Sequence, residues 1–317
     1  MTPVVTVIVP GYDVAPYAVE ALDSLRAQTR GDWIAVLVDD ASTDGTGALF
    51  DAAAAADERF QVVHHREQQG LGAARNTGLD LVRTPFVGFL DADDRLTPRA
   101  LERLVGTVAD SGSDFALGAY VRLRPDAAGG YAAGVVQPWV AAATAPARLG
   151  TTIDEHPEAS GNIVAWSKVS RTDLWQRTGL RFPVGRAYED QIVAQQMYTR
   201  ARTFDAIPDV VVEWRERADG SSITQHKDEL PVLRDYLEAL AGGIAVLDAA
   251  GHPRAAASRV RLILGMDLPP LVELARTHPD DTYRRELGEF TRTLWARADA
   301  LALPGPVDTA LAAARLW

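Results

Sequence analysis

Hydrophobic positions follow two different spacings over residues 1–121. Short apolar runs, such as residues 4–9 and 34–38, are typical of buried strands. Segments with apolar residues three or four apart, such as residues 16–28, are typical of helices with one buried face. Because the two kinds of segment alternate, the sequence predicts an α/β fold with a doubly wound, mostly parallel sheet.

The pattern places further elements along the same region. It predicts strands at residues 4–9, 34–38, 61–64, 86–90 and 115–121, and helices at 16–28, 46–56, 72–82 and 98–109. Residues 124–158 are rich in Gly, Ala and Pro, which predicts a long loop with weak structure. Regular structure is expected again at 162–167, 171–178, 189–200 and 209–214.

Beyond residue 226 the spacing is helical throughout. Leucines and an isoleucine recur every three or four residues from Leu230 to Leu247, until Gly251-His252-Pro253 ends the segment. We therefore predict two regions, a sheet domain at 1–226 and a helical C-terminal region at 227–317. The helices are expected to pack on the sheet domain. Contact with a partner, with a second copy of the chain or with a membrane surface is the alternative.

Composition excludes some classes of function. The chain has no cysteine, so it has no disulfide, thiolate metal site or cysteine nucleophile. The net charge of −11 argues against a nucleic-acid partner, which would call for a basic face. No apolar run approaches the ~18 residues of a spanning helix. We expect a cytoplasmic protein, with peripheral contact at the inner face of the membrane as an open alternative.

Three carboxylates follow the apolar run 86–90. Asp91 and Asp93 lie two residues apart, so in an extended chain they face the same side. Ligands of open α/β sheets bind outside the carboxyl ends of the strands. Oxygen donors at such an edge suit a divalent cation that carries substrate phosphates. A polar turn is the alternative, and Asp94 is expected to be a cap or turn residue for the helix that begins at residue 98.

A glycine-containing loop at residues 70–75 (GLGAAR) follows a strand and opens a helix. This is most of a dinucleotide-binding fingerprint, but Arg75 replaces the third glycine. An acidic cluster also follows, and a hydride-transfer site does not need one. The sequence contains neither a phosphate-binding P-loop nor a Gly-x-Ser-x-Gly elbow, which argues against P-loop enzymes and serine hydrolases.

Two further acidic segments allow simple structural interpretations. After the strand at 34–38, Asp44 or Ser42 is expected to cap the next helix, with Asp39 and Asp40 free at the strand end. Glu189 and Asp190 begin a helical segment, where two acids complement the helix dipole.

These segments in this order resemble the family 2 glycosyltransferases, which have the GT-A fold. The resemblance covers roughly residues 4–225 and rests on the order and spacing of several short motifs. They are residues 7–13 (VIVPGYD), 24–29 (SLRAQT), 38–46 (VDDASTDGT), 70–78 (GLGAARNTG), 89–94 (FLDADD), 166–168 (WSK), 181–183 (RFP) and 188–191 (YEDQ).

The resemblance implies an inverting, single-displacement transfer of a sugar from a nucleotide diphosphate donor, with UDP the expected nucleotide. Pro10, Tyr12 and Asp40 are then expected to contact the base or ribose, with Asp40 accepting a base N–H. Arg75 is expected to contact the nucleotide or to balance the charge of its diphosphate. Gln68 stands where the family commonly has Asn, so no contact is assigned to it.

The same resemblance assigns the diphosphate and sugar side of the donor. Asp91 would face the ribose and sugar, and Asp93 would bind Mg²⁺ or Mn²⁺. Arg217 and Ser222 lie in a segment that would close over the diphosphate. His226 is a third metal ligand by position only, and a surface or core histidine is the simpler interpretation.

On the acceptor side, Asp190 is expected to be the general base and Glu189 to orient the acceptor or donor. The acceptor is expected to be a hydroxyl of a glycan or a polyol-phosphate polymer. Residues 166–191 and 219–225 look most like bacterial enzymes of the teichoic-acid type that build cell-surface polymers.

Two other functions remain open on the sequence. A nucleotidyltransferase would need a basic, glycine-rich loop after the first strand, and residues 10–13 (PGYD) do not supply one. A non-catalytic module that binds a nucleotide sugar or glycan would have no need of Asp190.

Overall fold

The computed structural model describes residues 2–220, 226–301, 309–315 and 317. A ten-stranded sheet forms the centre of the N-terminal region. Its strands are β1 (Val5–Gly11), β2 (Trp33–Asp39), β3 (Phe60–His64), β4 (Phe86–Phe89), β5 (Arg95–Leu96), β6 (Phe115–Pro125), β7 (Tyr131–Ala133), β8 (Arg148–Thr151), β9 (Lys168–Arg171) and β10 (Phe204–Arg215).

Helices cover the sheet and form the C-terminal region. They are α1 (Ala15–Arg26), α2 (Thr46–Ala56), α3 (Leu71–Leu81), α4 (Ala100–Ser111), α5 (Pro138–Thr144), α6 (Thr172–Thr178), α7 (Asp190–Arg200), α8 (Leu230–Ala249), α9 (Pro253–Leu262), α10 (Leu268–Thr277), α11 (Asp281–Ala300) and α12 (Thr309–Ala314). A 3₁₀ turn spans Pro157–Gly161, and a π-helical turn at Ile263–Asp267 joins α9 to α10.

The sheet order is β3-β2-β1-β4-β9-β6-β10-β5, with β7 and β8 paired to β6 and β10. Strands β3, β2, β1 and β4 are parallel, and so are β6 and β10. Strand β9 runs antiparallel between β4 and β6. The predicted, mostly parallel α/β sheet is therefore confirmed. Strand order reverses at β1, which places a crevice beyond its carboxyl end.

Close packing of helix on sheet determines where α3 lies. All seven residues of β1 are buried, as expected for a strand covered on both faces. A Cβ on Gly78 of α3 would lie 2.4 Å from Cγ2 of Ile8, so only glycine allows this approach. Gly78 thus has the packing role that the fingerprint gives to its third glycine, which is Arg75 here.

Two large hydrophobic clusters are present in the described residues, besides a small one of Val36, Val38 and Ala74. The larger surrounds the sheet and includes Leu247 and Ala255 from α8 and α9. The smaller joins α8 to α12 and includes Leu233, Leu268 and Leu294. The helical region therefore has its own core and also packs on the sheet domain. The boundary at residues 226 and 227 stays a prediction.

The prediction of a weakly structured loop over 124–158 was wrong. Strand β7 returns along β6 after a turn in which Asp126 accepts backbone N–H groups of Ala128 and Gly130. Helix α5 begins at Pro138, whose fixed φ suits the first helical position. The element predicted at 162–167 was also misplaced, because regular structure begins only at Lys168.

None of the described helices combines the length and the apolar character that crossing a lipid bilayer requires.

Candidate active site

The three carboxylates after β4 have separate cationic or backbone partners. Asp91 Oδ1 lies 2.7 Å from Nη2 of Arg75, and Asp93 Oδ2 lies 2.8 Å from Nε of Arg217. Asp94 is 1% exposed, and its Oδ1 accepts the backbone N–H of Arg215 at 2.7 Å. Asp94 therefore holds the end of β10 and does not cap the next helix, while its own N–H donates to the carbonyl of Asp91 at 2.9 Å, as expected of a turn residue.

Arg75 joins the Asp91 edge to the predicted base. Its side chain is 2% exposed, and its two Nη atoms donate to Asp91 and to Glu189. Burial of a guanidinium is favourable only when carboxylates compensate its charge, and here it has two. Arg75 faces these carboxylates and not solvent, so its predicted contribution is better described as charge balance within the site.

Contacts between α3 and the backbone of residues 182 and 183 hold the segment before Glu189 in place. Asn76 Nδ2 donates to the carbonyl of Phe182 at 2.8 Å, and Asn76 Oδ1 accepts the Phe182 N–H at 2.9 Å. A Cβ on Gly72 would lie 2.0 Å from the carbonyl oxygen of Pro183. Gly72, Arg75 and Asn76 thus fix the position of the segment that leads to Asp190.

Asp190 is the first residue of α7 and faces a small cavity. Phe89, Lys168, Trp175 and Phe182 line the same cavity. Burial raises the pKa of the Asp190 carboxyl, while the charges of Arg75 and Lys168 oppose that rise. A carboxylate with a raised pKa is a stronger base than an exposed aspartate, which suits proton abstraction.

Glu189 lies deeper than Asp190. Burial raises the pKa of its carboxyl to about 7, and the charge of Arg75 opposes the rise. Because Arg75 contacts it directly, Glu189 is positioned by an ion pair with its carboxylate turned away from the cavity of Asp190. Its role in this geometry is to hold the segment that carries the base.

Helix α8 supports the same segment from the C-terminal region. Tyr188 has φ of +59°, an unfavourable conformation for a non-glycine residue, and its ring lies 4.5 Å from that of Tyr236. Asp235 accepts the N–H of Ala187 at 3.0 Å, and Arg186 pairs with Glu238 at 2.6 Å. Sequence reasoning missed this support, because no motif in α8 indicates it.

The predicted nucleotide residues lie at the ends of β1 and β2. Asp40 is 2% exposed; its Oδ1 lies 2.6 Å from Nδ1 of His65, and its Oδ2 accepts the N–H of Gly70 at 2.7 Å. Asp39 lies 2.9 Å from Nδ1 of His64. The prediction that both aspartates are free at the strand end was therefore wrong. Both carboxylates are oriented by neighbouring histidines.

The rest of the nucleotide side is more open. Tyr12 is 40% exposed next to Pro10, which is buried. Asp44 Oδ1 accepts the N–H of Thr46, the first residue of α2, at 2.9 Å, but the N-cap position itself is occupied by Gly45 and not by Asp44 or Ser42. Ala41 has φ of +64°, and such backbone strain is common at functional sites.

A cationic cluster lies on the far side of Asp93. Arg215 is buried; its Nη2 donates to Glu20 at 2.7 Å, and its guanidinium lies 4.3 Å from the ring centre of Tyr131. Arg217 lies over Tyr17 at 5.5 Å. Sequence reasoning missed Arg215, although its position two residues before Arg217 on the last strand was available as a signal.

Two further positions were predicted to take part in the site. Ser222 lies outside the described residues. His226 is exposed and lies 3.6 Å from Glu229, as a surface histidine would. Ion pairs and charge interactions therefore connect Asp91, Arg75, Glu189 and Asp190, and Asp93 pairs with Arg217 two residues along the chain from Asp91. Pro10, Tyr12 and Asp40 lie at the ends of the neighbouring strands β1 and β2.

Comparison with known proteins shows which sequences the chain is similar to. Residues 6–130 match the model of the family described as Glycosyl transferase family 2. The chain is 39% identical over 104 residues to the uncharacterized glycosyltransferase EpsJ of Bacillus subtilis, which is 33% of this chain and 30% of EpsJ. It is 25% identical over 253 residues to the glycosyltransferase GlyG of Streptococcus pneumoniae, which is 79% of this chain and 83% of GlyG.

The fold is similar to that of a solved glycosyltransferase. A crystal structure of S. aureus TarS residues 1–349 in complex with UDP-GlcNAc superposes with a TM-score of 0.73 and 20% identity, covering 94% of this chain and 83% of that chain. This likeness confirms the predicted GT-A-type sheet with C-terminal helices. The family model matches residues 6–130, the part of the chain that carries the nucleotide-side motifs and the carboxylates after β4.

Proposed function

We propose that the protein is an inverting glycosyltransferase that moves a sugar from a nucleotide diphosphate donor to an acceptor hydroxyl. One observation carries the proposal: Arg75 ties the Asp91 edge to the segment of Glu189 and Asp190. A donor bound at the Asp91 edge and an acceptor bound beside Asp190 would therefore meet across one crevice. A binding module would have no use for a half-buried carboxylate with a raised pKa at this point.

The reaction follows from the positions of the carboxylates. As the acceptor oxygen attacks C1 of the donor sugar, its proton passes to Asp190. The bond from C1 to the diphosphate breaks, and the nucleoside diphosphate leaves with the electron pair. Attack comes from the side opposite the leaving group, so the configuration at C1 inverts.

The donor base would be read by Asp40. His65 and the N–H groups of Gln69 and Gly70 hold its carboxylate, which can only accept hydrogen bonds. Uracil offers an N–H at its pairing edge, whereas cytosine has an acceptor nitrogen at that position. The UDP-GlcNAc in the TarS complex supports a uridine donor.

Asp93 fits the divalent cation that the family implies. Mg²⁺ and Mn²⁺ prefer oxygen donors and commonly bind one or two carboxylates together with substrate phosphates. The described residues offer no group of three His, Cys, Asp or Glu side chains for a metal, so donor phosphates would have to complete the site. The cation would neutralise charge on the leaving diphosphate. Arg217 would have to release Asp93 and is then placed to contact the same diphosphate.

Asp93→Asn should remove the metal dependence of nucleotide binding. The amide cannot supply the negative oxygen, so we expect calorimetry to show UDP affinity that no longer rises with Mn²⁺. The matched control is Asp80→Asn, which changes an exposed aspartate paired with Arg181 and should bind UDP as the wild type does. Unchanged Mn²⁺-dependent binding in Asp93→Asn would remove Asp93 from the metal site.

The activity itself is tested by the products. A thermal-shift screen of nucleotide sugars with and without Mn²⁺ identifies the donor, because a ligand of the native state raises its stability. Incubation of that donor with glycan and polyol-phosphate acceptors should release nucleoside diphosphate. Release of pyrophosphate would instead indicate nucleotidyl transfer, and tight binding without turnover would indicate a binding module.

A further inference from the structure

Lysine occurs at only two positions of the chain, 168 and 227, whereas the other basic side chains are arginines. Both lysines are largely withdrawn from solvent. Lys168 is 3% exposed, and Lys227 lies 4.0 Å from the ring centre of Tyr236. A buried ammonium is costly unless it is fully hydrogen-bonded, so Lys168 calls for a specific explanation.

The Lys168 ammonium organises the loop that precedes β9. Its Nζ donates to the carbonyl of Asn162 at 2.9 Å, to Asn162 Oδ1 at 2.6 Å and to the carbonyl of Val164 at 2.6 Å. Tyr198 and Ser167 donate to the same asparagine, at 3.0 Å each. Three N–H donors therefore meet three acceptors, which is the complete capacity of an ammonium group.

Lys168 also lies at the reactive edge of the sheet. Strand β9 is antiparallel to β4, so its first residue lies beside the carboxyl end of β4, where the Asp91 edge begins. Lys168 and Asp190 line the same cavity, together with Ile163, Val164 and Ala165 of the loop. One ammonium thus fixes part of the wall opposite the base and places a positive charge beside it.

We infer that Lys168 is a positioning residue for Asp190: it holds the loop that lines the small cavity beside Asp190 and favours the ionised form of that carboxyl. The inference rests on the proposed function and adds to it a residue without contact to donor or acceptor. Lysine suits this position because its compact ammonium can donate to acceptors on both Asn162 and Val164 of the loop. The planar fork of arginine would not match them.

The charges of Lys168 and Asp190 should be reciprocally linked. Burial lowers the pKa of Lys168 to about 7, and the charge of Asp190 opposes the fall. In the same way, Lys168 opposes the rise in the pKa of Asp190. The charged or titratable groups that face Asp190 are Arg75, Asp91, Tyr120, Lys168, Tyr188 and Glu189.

Carbon-13 NMR of lysine-labelled protein tests this linkage without any substrate. With two lysines there are two side-chain signals, and Lys227→Met assigns them. We expect the Lys168 signal to titrate near neutral pH, and its pKa to fall in Asp190→Asn because a compensating charge is lost. A Lys168 pKa that is the same in Asp190→Asn and in the wild type would overturn the inference.

Kinetics of Lys168→Met test the positioning role. The variant keeps the side-chain length and removes the charge, so the acid limb of the kcat/KM profile should move to higher pH. We expect kcat to fall about tenfold to a hundredfold, as for a displaced catalytic group, with the donor KM unchanged. Lys227→Met is the matched control, because it also removes a lysine, here a half-buried one, but should leave the acid limb in place.

The outcomes separate this inference from the proposed function. Full transfer by Asp190→Asn would refute the base assignment and with it the proposed function. An inactive Asp190→Asn together with an unmoved acid limb in Lys168→Met would refute only the role of Lys168. If Lys168→Met does not fold, the NMR titration of wild type and Asp190→Asn still decides.

Discussion

Asp190→Asn should lower kcat by about 10²–10⁴-fold, the usual contribution of a general base. The amide cannot accept the proton of the acceptor hydroxyl, whereas the donor side is untouched because the contacts of Asp93 and Arg75 remain. UDP affinity, measured by calorimetry with Mn²⁺, should stay close to that of the wild type. In the wild type, activity should fall as pH falls through the pKa of Asp190, at a pH above that of an ordinary aspartate.

Asp173→Asn is the matched control for this change. Asp173 lies in the first turn of α6, as Asp190 lies in the first turn of α7, but its side chain is exposed. If Asp190 only complemented a helix dipole, both variants would behave alike and lose about 1 kcal/mol of stability or less. Near-normal transfer by Asp190→Asn would therefore refute its assignment as the base.

Gly72→Ala, which adds a single methyl group, should abolish most of the sugar-transfer activity. The added Cβ would lie 2.0 Å from the carbonyl oxygen of Pro183, and backbone cannot rotate away as a side chain can. The segment that carries Glu189 and Asp190 must therefore move. A displacement of about 1 Å at a catalytic group can cost about 10²-fold in rate. Overpacking should also cost about 1–3 kcal/mol of unfolding free energy, measurable by denaturant titration.

Gly106→Ala provides the control for a glycine-to-alanine change in a helix. No described heavy atom lies within 4 Å of the Cβ that would be added to Gly106 in α4. Alanine has the higher helix propensity, so this variant should be as stable as the wild type or more stable by about 0.5–1 kcal/mol. If Gly72→Ala behaved like Gly106→Ala, contact between α3 and residue 183 would not position the base.

Sequence patterns predicted the elements whose burial is determined locally. The runs at 4–9 and 34–38 correspond to β1 and β2, and the leucine spacing after residue 226 corresponds to α8. The prediction failed at 162–167, where apolar residues resemble a strand. There the Lys168 ammonium binds the carbonyls of Asn162 and Val164, which keeps them out of the sheet.

The sequence allowed the acidic residues of the candidate site to be predicted, but not the residues that hold them in position. Motif spacing located Asp93 and Asp190, because each lies at a sequence-marked end of a strand or helix. The ion pair of Arg75 with Glu189 joins residues 114 positions apart, and no local pattern encodes such a contact. The support of Tyr188 by α8 likewise depends on how the C-terminal helices pack on the sheet domain.

The stereochemistry of sugar release tests the central claim most directly. The nucleotide sugar that gives the largest thermal shift, with its sugar in α linkage, is incubated with Mn²⁺ and water as acceptor, and proton NMR follows the products in real time. An inverting displacement at C1 predicts nucleoside diphosphate and a free sugar that appears first as the β anomer. First appearance of the α anomer, or release of pyrophosphate, would contradict it.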